Sequence, residues 1–134
     1  MFDLTKNDFS VSAEAGHEFE LMLPTGESSG AFITVRGEQS PAVKAYGRRK
    51  FNEYQQKQKI AKRKGTEDNI DLDEAEDMQV ETAVVRIIGW KGIGEAGKAV
   101  EFTKENASRI LKQHSWIREA IMEASSDLYN FRPV

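Results

Sequence analysis

The charges of this chain change sign once, abruptly. Residues 44–64 hold Lys44, Arg48, Arg49, Lys50, Lys57, Lys59, Lys62, Arg63 and Lys64 against the single acid Glu53. Residues 67–81 hold Glu67, Asp68, Asp71, Asp73, Glu74, Glu76, Asp77 and Glu81 and no base. Neither run can enter an apolar core, because a buried charge without a partner is strongly disfavoured. The middle of the chain must therefore be solvated or face charge of the opposite sign. A basic helix end followed by an acidic helix start suits both helix macrodipoles. It also suits two antiparallel helices that face each other, with Arg48, Arg49, Lys57, Asp73 and Glu76 as candidate electrostatic contacts within or between copies.

The core has to come from elsewhere. The 134 residues are enough for one ordinary domain, but only 39% are hydrophobic and 31% are charged. That balance predicts a modest core with long solvated elements, completed by a partner. The chain has no cysteine, which excludes disulfides, thiolate zinc sites and cysteine nucleophiles. A net charge of −3 argues against a general nucleic-acid binder. No apolar run approaches the ~18 residues of a membrane span. Met1 to Asp8 lack the basic and apolar regions of a secretory signal, so a cytosolic protein is expected.

Local patterns predict an α+β fold: an antiparallel β-hairpin followed by a helical bundle of about four helices. Residues 1–16 read as a loosely held arm, with Phe2, Phe9 and Val11 as isolated anchors. Residues 17–37 read as the hairpin. Phe19, Leu21 and Leu23 alternate with polar neighbours, Pro24-Thr25-Gly26 is turn chemistry, Ser28-Ser29-Gly30 extends the loop, and Phe32 to Val35 return. Ser40-Pro41 combines a capping hydroxyl with proline at the first helical position, so a basic helix is expected over 40–64, stopped by Gly65. A linker is expected over 65–72. An acidic-to-apolar helix is expected over 73–90, although Val84, Val85, Ile87 and Ile88 have strand propensity. Residues 91–102 read as a glycine-rich loop, 103–128 as two paired helices capped by Thr103 and Ser115, and 129–134 as an apolar tail.

Several constellations invite a chemical reading. Gly92-x-x-x-x-Gly97-Lys98-Ala99 nearly spells a phosphate-binding loop. Ala99 stands where the metal-binding hydroxyl belongs, and too little chain follows for a parallel sheet. The overlapping Gly92-x-Gly94-x-x-Gly97 lacks the βαβ unit of a dinucleotide fingerprint. Tyr46, Phe51 and Tyr54 interleave with the nine bases, as in a phosphate-backbone surface, but the adjoining acidic run offers a nearer answer to that charge. His17 and His114 have no ligand-like neighbours, so no metal or cofactor is expected, and His114 reads as a core histidine. No nucleophile motif orders the Ser, His and Asp residues, so no catalytic role is expected. What remains is apolar surface. Trp90, Phe102 and Ile110 read as core, whereas Trp116 and the Tyr129–Phe131 tail are candidates for a partner surface.

The layout as a whole resembles the tail assembly chaperones of long-tailed bacteriophages. The resemblance rests on the hairpin around Pro24-Thr25-Gly26, on Gly37-Glu38-Gln39-Ser40 leading into a basic helix, and on Ile88-Gly89-Trp90. It continues through Val100-Glu101-Phe102-Thr103-Lys104-Glu105-Asn106 and the helix pair with Ile110-Leu111 and Trp116-Ile117-Arg118-Glu119-Ala120-Ile121. It implies a protein with no catalytic activity that coats the tape measure protein in the host cytoplasm until tail tube protein polymerises around that client. It then leaves, and is absent from the mature virion. On this reading a client helix lies in a groove between helices 103–114 and 115–128, with Trp116, Ile117, Ile121, Tyr129 and Phe131 as partner-binding residues. The hairpin edge or the opposite charges would join neighbouring copies. Two other readings stay open: a structural tail or head–tail connector protein of the virion, and a nucleic-acid-binding regulator that uses the basic helix.

Overall fold

The computed structural model describes residues 1–65 and 71–133. Residues 66–70 of the expected linker, including Glu67 and Asp68 of the acidic run, and Val134 of the tail lie outside them. Among the described residues the order is α1 (Phe9–Ala15), β1 (His17–Met22), β2 (Ser28–Val35), α2 (Pro41–Lys64), α3 (Leu72–Val84), β3 (Ile87–Lys91), β4 (Gly94–Glu95), β5 (Lys98–Ala99), α4 (Lys104–Gln113), α5 (Ser115–Ser126) and a 3₁₀ turn over Leu128–Phe131. The fold is α+β, with the short helix α1, then the hairpin, and four α-helices after it.

The hairpin's return strand starts earlier than expected. Ser28, Ser29 and Gly30 belong to β2, and a bulge between Leu21 and Met22 absorbs the change of register. β3 adds a third antiparallel strand, with Ile33 opposite Trp90 and Val35 opposite Ile87, giving the sheet order β1-β2-β3. This corrects the expected helix over 73–90. The helix stops at Val84, and Ile87–Lys91 runs extended because β2 offers it a ladder of backbone partners. The glycine-rich loop is also more ordered than expected, since β4 and β5 pair through a two-residue turn.

The sheet's inner face and the helices share one core. Leu21, Ile33, Val35 and Ile87 meet Val80, Ala83 and Val84 of α3, Ala107, Ile110 and Leu111 of α4, and Ile117 and Ile121 of α5. Trp90 and Phe102 pack on its edge, their rings T-shaped at 5.1 Å, and Trp90 Nε1 donates to the Val100 carbonyl at 2.9 Å. The arm expected over 1–16 is only partly loose. Asp8 caps α1, Ala13 is fully buried, and the Gly37 amide donates to the Ala13 carbonyl at 3.0 Å.

α2 behaves differently from the other helices. Ser40 caps it and Gly65 closes it in the left-handed conformation at φ 66°. Of its 24 residues only Val43 and Tyr46 are buried, both in the first two turns. The rest, residues 47–64, carries most of the positive charge away from the core.

Candidate functional site: an apolar groove between α3 and α5

The expected groove between the last two helices is closed. Ile117 and Ile121 of α5 point into the core together with Ile110 and Leu111 of α4. Phe131 is 2% exposed. Asp127 caps the 3₁₀ turn through the Tyr129 amide at 3.1 Å, and Asn130 Nδ2 donates to the Ala124 carbonyl at 3.0 Å. The turn folds the ring of Phe131 back over Gly37 and Ala13, edge-on to His17 at 6.0 Å. Ile117, Ile121 and Phe131 are therefore core residues and cannot anchor a partner on the folded chain. Trp116 is half-buried against the same core. Tyr129 is exposed, with the Arg132 guanidinium stacked over its ring at 4.1 Å.

An open groove lies on the other side of α5. It runs between α3 and α5 and is lined by Met78, Gln79, Thr82, Arg118, Glu119 and Met122, with a volume of about 370 Å³. Val80, Ala83 and Val84 turn inward on α3, which leaves Met78 and Thr82 on the outer face one turn apart. Met78 is 49% exposed. On α5, Ile117 and Ile121 take the inner positions, so Glu119 falls outside and Met122 is half-buried at the edge of the core. Arg118 braces the groove: Nη1 donates to the Leu111 carbonyl at 3.0 Å and Nη2 to Gln79 Oε1 at 3.4 Å. Methionine is unbranched and adapts to irregular apolar shapes, and Met78 and Met122 give the groove its apolar lining. Sequence reasoning passed over the groove because Met78 and Met122 lie far apart in the chain and belong to no motif.

A second, more polar cleft of about 310 Å³ lies where α2 leaves the body, with Arg36, Tyr46, Arg49, Glu81, Phe102 and Lys104 in its walls. Lys50 bridges Glu53 and Glu81, both at 3.2 Å. These two carboxylates hold its ammonium more firmly protonated than usual. Burial pushes the Tyr46 phenol up from its ordinary value, while the guanidinium of Arg49 lies 5.4 Å from its ring centre.

Among the described residues the expected pairing of the basic helix with the acidic run is not made along their lengths. Among the described residues the ion pair joining α2 to α3 is Lys50–Glu81. Arg48 and Lys57 are exposed on α2, Asp73 is exposed on α3, and Glu76 is half-buried. Asp77 bonds instead to Lys112 of α4 at 2.9 Å. His114 is also corrected: it is exposed at the junction of α4 and α5 rather than buried.

The glycine motif at 92–97 serves geometry. Ala96 and Gly97 both have positive φ, 50° and 79°, the pattern of a tight turn matched to the twist of β4 and β5. Arg109 of α4 grips this hairpin through two bonds to Glu95, at 2.6 and 2.8 Å, and holds that carboxyl below its usual range. Among the described residues no group of three or more His, Asp or Glu side chains is placed to hold a metal ion. No helix among them is long and apolar enough to cross a membrane.

The fold and surface define a small α+β protein with a projecting basic helix and an open apolar groove. Its sequence matches the YdaY prophage protein family over residues 40–134, from the N-cap of α2 to the end of the chain. The chain belongs to that family, which makes it a phage-derived protein. α1 and the β1–β2 hairpin lie outside the matched residues. No curated protein and no solved structure matches the chain.

Proposed function

We propose that this protein is a phage tail assembly chaperone that binds the tape measure protein and keeps it soluble in the host cytoplasm while tail tube protein assembles. Membership of a prophage family supports a role in the phage life cycle. The observation that carries the chaperone reading is the α3–α5 groove, apolar along its floor and charged at its rim. A long helical client presents apolar stripes that aggregate in water. A groove of this kind receives such a helix by helix-in-groove docking. Many copies along one client give avidity from individually weak contacts. The groove replaces the α4–α5 seam as the docking surface, since Ile117, Ile121 and Phe131 are committed to the core.

The test is co-expression with the tape measure protein of the same prophage. The native chain is expected to move the client into the soluble fraction. The variant Met78→Glu with Met122→Glu is expected to keep its circular dichroism spectrum and lose that effect. A client that is soluble alone, or that stays soluble with the folded variant, would overturn the assignment. Recovery of this chain in purified virions as a stoichiometric component would favour the connector reading instead.

A further inference from the structure

We propose that the protein associates with itself head to tail, the projecting part of α2 from one copy seating on the acidic α3 side of the α3–α5 groove of the next. The contact rests on the surfaces of α2 and α3 and not on the identity of the client.

α2 carries an apolar stripe that is exposed at Phe51 and Tyr54. Val43, Gly47, Phe51 and Tyr54 follow one another at steps of four, four and three residues, so they form one stripe along the helix. The stripe is covered at Val43, yet Phe51 and Tyr54 are 59% and 54% exposed. Most of a helix's stability in a protein comes from packing its apolar face rather than from propensity. A helix that outruns its own core is stabilised by burying that stripe on something else.

Charge selects the occupant. Arg48, Lys57 and Lys62 flank the stripe on its two sides, so its partner must carry acids beside an apolar strip. A second α2 would bring like charge and is disfavoured. The outer face of α3 meets the requirement. Met78 and Thr82 open onto the groove, Leu72 is 81% exposed at the helix start, Glu74 is exposed one turn before Met78, Glu76 is half-buried nearer the core, and the helix contains no base. Among the described residues of one copy, the ion pair between α2 and α3 is Lys50–Glu81, and Phe51 and Tyr54 beyond it stay exposed. Two different surfaces on one chain form a heterologous contact, which closes into a ring or extends as a filament.

Size-exclusion chromatography with light scattering tests this on the full chain. The wild type is expected to form oligomers whose mass rises with concentration and falls between ~0.1 and ~1 M salt. The set Arg48→Glu, Lys57→Glu, Lys62→Glu, and separately the set Glu74→Lys, Glu76→Lys, should each weaken association about tenfold or more. Mixing the two variants, or placing both sets on one chain, should restore it. Circular dichroism checks that each variant is folded. Should the double set fail to fold, the mixture of the two single sets decides. A wild type that stays monomeric at ~100 µM, or association that neither set disturbs, would overturn the proposal. So would loss without rescue accompanied by a salt-sensitive shift of a DNA fragment that only the α2 set abolishes, which would make α2 a nucleic-acid surface.

Discussion

Gly37 lies directly beneath Phe131. A methyl group at this position would come within 2.8 Å of Phe131 Cδ2 and 3.0 Å of Ala13 Cβ. The ring cannot retreat, because Phe131 is wedged in the core and Ala13 is fully buried. Gly37→Ala is therefore expected to lower stability by about 1–3 kcal/mol, measured by urea denaturation. Phe131→Ala empties the same site and should cost about 3–5 kcal/mol. A change smaller than ~1 kcal/mol for Phe131→Ala would contradict its placement in the core. Glu14 marks the other side of this junction: it accepts from the Ser40 hydroxyl and from the Ala42 amide, and Arg36 lies beside it. These contacts, the Ser40 bond first, hold its carboxyl below the ordinary glutamate range. Its contribution is present above that range and is lost as pH falls through the lowered value. Glu14→Gln should therefore flatten the acid limb of the stability–pH profile, and an unchanged limb would count against the bond. None of this was legible in the sequence. A glycine offers no side chain to announce what it covers, so the Tyr129–Phe131 tail reads as exposed until the turn that returns it to Ala13 is seen.

The elements divide into those that carry their own signals and those that borrow them. Ser40-Pro41 and Thr103 announce helix starts, and both hydroxyls accept the expected amide, Ser40 from Val43 and Thr103 from Asn106. Thr103→Ala is expected to cost about 1 kcal/mol in thermal or denaturant unfolding, and no loss would show that the cap is not used. The end of α3 carries no such signal. Val84, Val85, Ile87 and Ile88 suit helix or strand equally, and only β2 on the far side of the chain decides that Ile87–Lys91 is a strand. α2 is legible as a helix, and the exposure of its Phe51 and Tyr54 is legible only in three dimensions. If residues 47–64 are held by a neighbouring copy, their amides should exchange with deuterium faster at dilution than at high concentration. Exchange as slow as that of α4 at every concentration would mean that α2 is stable unaided.

For the molecule as a whole, the hairpin-then-helices layout was readable because turns, caps and the charge inversion punctuate the chain locally. The groove was not, because it is a product of packing: Ile117 and Ile121 turn inward on α5 and thereby place Met122 opposite Met78, which Val80 and Ala83 have turned outward on α3. The proposed client site and the proposed copy–copy site share the α3 side of this groove. Client and neighbour should therefore compete, with α2 of one copy shielding the apolar strip of the next until a client helix displaces it. A photo-crosslinking residue at position 122, in cells that express the tape measure protein, tests the account most directly. Covalent capture of the tape measure protein is expected, with capture of a second copy when the client is left out. Capture of virion connector or tube subunits, with the tape measure protein absent from every adduct, would contradict it.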